Sequence, residues 1–101
     1  MKVKNVNGAR DDTCRCGSWL EHWKRFSGQV LPTCCPEAKC SHKPEVGAHV
    51  QKDSHSDKSW YIVPLCNAHN AQLGKSLTLI DTVKLVSANG DGTCGTKAWW
   101  A

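Results

Sequence analysis

In the segment SWLEHWKRFSG, Trp19, His22, Trp23 and Phe26 fall at i, i+3, i+4 and i+7, so one face of a 3.6-residue period is apolar. Ser18 before the stripe and Gly28 after it are start and stop signals, and together they predict a short amphipathic helix over about 18–27. The runs VGAHV and WYIVPL are β-rich and are separated by the polar QKDSHSDKS, a pattern that predicts a hairpin with a long exposed loop. NAHNAQLG follows, with the spacing of two helical turns closed by Gly74. SLTLIDTVKLVSA is rich in Leu, Val, Ile and Thr with partial alternation, which predicts one or two further strands before the turn signal NGDG at 89–92. Residues 1 to 13 are polar and rich in Gly, Asn and Asp, and read as a loose lead-in. The stretch 29–45 carries Pro32, Pro36 and Pro44 among three cysteines, which argues for a loop organised by something other than backbone bonding.

Metal coordination is one such organiser. With 101 residues the chain reads as one domain, 1–101, and domains of this size commonly lean on disulfides or metals. The N-terminus lacks an apolar export region and no window approaches the roughly 18 apolar residues of a membrane span, so a soluble, cytoplasmic chain with no membrane partner is expected. Clustered cysteines in a reducing compartment are metal ligands or redox centres more often than disulfides, and an odd count of seven points the same way.

Two pairs have the spacing of metal ligands. Cys40 pairs across a short loop with Cys34 or Cys35, while Cys66 and His69 stand where a strand gives way to a helix. Thiolate-rich tetrahedral sites suit Zn²⁺ better than Mg²⁺ or Ca²⁺. A second zinc could be held by Cys14, Cys16 and Cys94, with Cys34 or His22 as the fourth ligand, pinning the two ends of the chain together. His22 also sits on the aromatic stripe, where a packed, hydrogen-bonded histidine is the commoner outcome. A thiol redox protein is disfavoured, because no Cys-x-x-Cys opens a helix after a strand and adjacent Cys34–Cys35 is poor dithiol geometry.

The order of these features, a loop cysteine pair, a strand with Ala-His-Val, and a second strand ending in Leu-Cys before x-x-His-Asn, resembles the zinc-containing HNH (His-Me finger, ββα-metal) nuclease motif over about residues 34–75. The resemblance implies an α+β fold: a small zinc-stabilised treble clef, or ββα-metal finger, with an added N-terminal helix and C-terminal strands. It selects the Cys-x4-Cys pair Cys35 and Cys40 as partners of Cys66 and His69. It also implies His49 as the general base that activates water against a phosphodiester, and Asn70 as a ligand for a catalytic Mg²⁺ or similar ion. The chain departs from the pattern at Ala48, where an acidic or histidine ligand is common, and near Tyr61, where an asparagine orients the base. Asp53, His55 and Asp57 of the hairpin loop could supply further ligands by folding back.

Two classes of function follow: a metal-dependent endonuclease, or a non-catalytic zinc module that binds DNA, RNA or a protein partner. The net charge of +4 permits an anionic partner without demanding one; Lys24, Arg25, Lys52, Lys58, Lys75 and Lys84 are candidate phosphate contacts. Among the five tryptophans, Trp19, Trp23 and Trp60 read as core, and Trp99 and Trp100 as either packed over the fold or open to a partner.

Overall fold

The computed structural model describes residues 1–6, 18–53 and 56–88. Within these residues the chain forms an α+β fold in which strands β1 (Lys2–Asn5), β2 (Val46–Lys52), β3 (Trp60–Leu65), β4 (Ser76–Thr78) and β5 (Val86–Ser87) make one antiparallel sheet. Helix α1 (Trp19–Ser27) packs on this sheet, and a single helical turn, α2 (Asn67–Asn70), follows β3. The strand order is β4-β1-β2-β3-β5.

Helix α1 begins and ends at the expected signals. The Ser18 hydroxyl accepts from the Glu21 amide at 3.1 Å, satisfying one of the unpaired donors of the first turn. Gly28 closes the helix in the left-handed region at φ 70°, where a side chain would be strained. Of the apolar stripe, His22 and Trp23 are fully buried, and the Trp23 indole donates to the Lys84 carbonyl at 2.8 Å. Phe26 is 42% exposed, with its ring against His22 and the Arg25 guanidinium over it.

The lead-in is not loose where it can be followed. Residues 2–5 form β1 and lie between β4 and β2. The sequence KVKN alternates: Val3 and Asn5 are fully buried and the two lysines face outward. A four-residue alternation is a weak signal beside the Gly/Asn/Asp-rich stretch that follows it. The expected hairpin is present as β2–β3, with His49 opposite Ile62 and Val46 opposite Leu65. Its exposed loop is anchored by Asp57, which accepts from the Tyr61 hydroxyl at 2.6 Å and the Ser59 amide at 2.9 Å. The Tyr61 hydrogen bond, followed by those from Ser59 and Lys52, holds the Asp57 carboxyl down at about 2. SLTLIDTVKLVSA yields two strands as expected, but they go to opposite edges of the sheet, β4 beside β1 and β5 beside β3. Trp60 is 38% exposed rather than core, because it lies at the outer end of β3 beside the loop. The NGDG turn, Trp99 and Trp100 lie outside the described residues.

Gly47 is where helix and sheet touch most closely. A Cβ at this position would stand 2.5 Å from both the Leu20 nitrogen and the Trp19 carbonyl carbon, which are backbone atoms that cannot rotate away. Gly47→Ala should therefore cost about 1–3 kcal/mol by overpacking. Thermal unfolding should show this as a fall in Tm of roughly 4–8 °C per kcal/mol; an unchanged Tm would contradict the close packing of α1 on β2.

Candidate metal centre

Three segments bring four ligand atoms to one place. Cys35 and Cys40 come from the proline-rich loop, Cys66 from the end of β3 and His69 from α2; their ligand atoms all lie within 4.8 Å of one another. The Cys40 and Cys66 sulfurs are 4.0 Å apart, and the His69 Nδ1 is 3.2 Å from the Cys66 sulfur and 3.6 Å from that of Cys35. A zinc ion with Zn–S bonds of about 2.3 Å in tetrahedral geometry spaces its sulfurs about 3.8 Å apart, so the cluster is compatible with a metal ion such as zinc. The separation is far beyond a disulfide bond of about 2.05 Å, and all four described cysteines are free thiols.

Local structure explains the convergence. Cys66 is the N-cap of α2, and its sulfur accepts from the His69 amide at 3.4 Å, so one residue both starts the helix and aims its thiol at the site. In the loop, Lys39 takes a left-handed conformation at φ 74°, turning the chain so that Cys40 comes back toward Cys35. Backbone bonding contributes more to this loop than its composition suggested. The Cys35 amide donates to His42 O, the Ala38 amide to Thr78 O and the Ile80 amide to Pro36 O, and Glu37 bridges Leu79 beyond β4. Cys34, the competitor for the first position, is exposed, whereas Cys35 is buried.

A residue that the sequence reading missed supports α2 from below. Asn5, fully buried in β1, donates through Nδ2 to the carbonyls of His69 at 3.1 Å and Asn70 at 2.8 Å. Its Oδ1 has no hydrogen-bond partner among the described residues. Nothing in the sequence pairs Asn5 with residues more than sixty positions away; only its place in a short alternating run marks it as inward-facing.

The two residues that the family resemblance assigned to catalysis, His49 and Asn70, stand in different surroundings. Side chains alternate across a strand, and directly opposed residues of antiparallel strands share a face. Gly47 and His49 face α1, as the Gly47 contact with the α1 backbone and the edge-on packing of His49 against Trp19 at 4.9 Å show. Asn5 is opposite Val50 and so points to the other face, where it holds α2 and Asn70. The backbone of α2 is thus held from the face of the sheet opposite to the one that His49 turns toward α1. His49 is 4% exposed and lies between the rings of Trp19 and Trp60.

The other assigned groups are placed as follows. His22 is buried, and its Nε2 donates to the Ser87 carbonyl at 2.9 Å while its ring meets Trp19 edge-on. Cys14, Cys16 and Cys94 of the second candidate zinc site lie outside the described residues, as does His55. Asp57 is engaged by Tyr61, and Asp53 faces the Ser76 hydroxyl at 3.4 Å; neither belongs to a metal-binding group among the described residues.

Comparison of the chain with family models, with curated proteins and with solved structures finds no match.

Electrostatics of the cluster set a condition on metal entry. Burial first, and then the adjacent Cys66 sulfur, push the Cys35 thiol up to about 12 from its ordinary 9.0, against the lowering effect of the Cys66 and Glu37 backbone amides. The folded protein without metal therefore favours the neutral thiol; that contribution to stability is complete below pH 9.0 and is lost as pH rises toward 12. A metal must displace this proton, so zinc affinity should rise by at least about tenfold per pH unit near neutrality. Competition titration against a chromophoric chelator at several pH values measures the slope; a flat profile would show that Cys35 does not enter as thiolate.

Proposed function

We propose that this chain is a zinc-clamped α+β module in which Cys35, Cys40, Cys66 and His69 hold one structural Zn²⁺, and that it acts by binding rather than by cutting. The observation that carries the first half is the mutual approach of three thiols and an imidazole from separated segments. Four protein ligands complete a tetrahedron and leave no open position for water, which is the arrangement of structural rather than catalytic zinc. The sequence of a cysteine-bearing loop, a hairpin ending at Cys66 and a helical turn carrying His69 supports a treble-clef, HNH-like scaffold for this region.

The second half rests on His49. A general base needs access to the proton it removes, whereas this imidazole is 4% exposed and packed against two tryptophans. Exposed lysines suit contacts to an anionic partner, DNA or RNA, although Lys24 is paired with Glu21 at 3.0 Å and Lys52 with Asp57 at 3.5 Å. A protein partner is the other occupant that such a module would take.

A nuclease assay on DNA and RNA, run with Mg²⁺, Mn²⁺ or Ni²⁺ beside the His49→Ala variant, separates the two classes. The binding-module reading expects no cleavage under any metal; cleavage abolished by His49→Ala would replace it with the nuclease. Within the fold, Asn5→Ala should cost about 1–3 kcal/mol by leaving two α2 carbonyls without their donor. It should also weaken zinc binding together with stability; a chelator titration and thermal melt identical to wild type would contradict the tether.

A further inference from the structure

We infer that Glu37 is a positioning residue for the metal centre, acting through His69; the inference rests on the zinc reading above. His69 presents Nδ1 to the sulfurs of Cys66 and Cys35. Metal coordination at Nδ1 uses its lone pair, so the ring proton must sit on Nε2 and seek an acceptor. The group facing Nε2 is the Glu37 carboxylate, with Oε1 at 3.8 Å. Both side chains are largely shielded, at 19% and 22% exposure, so the pair is not a freely solvated surface contact. Metal-bound imidazoles commonly give their second nitrogen to a carboxylate, which fixes the tautomer and ring plane and makes the imidazole a stronger donor.

Glu37 lies between Cys35 and Cys40, so the loop that donates two thiols also carries the carboxylate that stands 3.8 Å from the third segment's imidazole, within reach of a hydrogen bond after a small side-chain adjustment. Its backbone is held independently of its side chain, by the bridge to Leu79 and by its carbonyl, which accepts from the Cys40 amide at 3.0 Å. Glu37→Gln preserves that backbone and the side-chain length while removing the negative charge. The Cys-x4-Cys loop therefore holds the site twice, by its sulfurs directly and by its carboxylate through the ring of His69.

The test compares zinc affinity, by chelator competition, in wild type, Glu37→Gln and Glu37→Ala, and repeats Glu37→Gln in a His69→Cys background. Loss of the outer partner should weaken zinc binding about 10–100-fold, with Ala at the larger end. In the His69→Cys background there is no imidazole to orient, and Glu37→Gln should leave affinity unchanged or raise it by relieving charge beside four thiolates. In the zinc-loaded protein the His69 Nε2–H resonance should be protected from exchange in wild type and exposed in Glu37→Gln; this readout holds even if His69→Cys fails to fold. Equal affinity and equal protection in wild type and Glu37→Gln would overturn this inference alone. An equal loss in both backgrounds would overturn it in favour of a structural role for the loop. A wild-type chain that takes up no zinc would overturn the metal reading and this inference with it.

Discussion

The meeting of three thiols with the His69 imidazole is the one interaction that joins the proline-rich loop, the end of β3 and α2 at a single point. The segment that supplies Cys35 and Cys40 forms no helix and only an isolated bridge, and the turn that supplies His69 is four residues long. Neither element would hold its position on propensity, since isolated helical turns are unstable in water. Zinc in small fingers contributes about 10–16 kcal/mol of apparent binding energy, which is enough to decide whether a chain of this size folds. An ion at this site would join the loop, the end of β3 and α2 in one step.

Around that centre the sheet divides the protein into two sides. On one, α1 lies close enough to β2 that only glycine fits at position 47, and its aromatic residues enclose His22 and His49. On the other, β1 reaches through Asn5 to the backbone of α2. The division has a functional consequence, because it turns the histidine with the best sequence credentials as a base toward α1 and its aromatic residues.

Much of this was legible in the chain. Ser18, the i, i+3, i+4, i+7 stripe and Gly28 located α1 because caps and periodicity are local signals. The β2–β3 hairpin was readable from two β-rich runs around a polar loop, and the Cys and His spacings, with the family resemblance, picked out the four residues that converge. What was not legible depends on contacts distant in sequence. The incorporation of residues 2–5 into the sheet requires partners in β2 and β4, and no local pattern encodes them. The side to which His49 points follows from the Gly47 contact with α1, and the roles of Asn5 and Glu37 follow from where α2 settles. Trp60 looked like core by residue type alone, yet its place at the outer end of β3 leaves it partly in solvent.

X-ray absorption at the zinc edge of the purified, metal-loaded protein reads the donor atoms around the ion. One zinc per Cys35–Cys40–Cys66–His69 cluster is expected, with three sulfurs at about 2.3 Å and one nitrogen at about 2.0–2.1 Å. An all-oxygen or all-nitrogen shell, or a protein that folds identically with no metal and with Cys40 and Cys66 joined as a cystine, would contradict it.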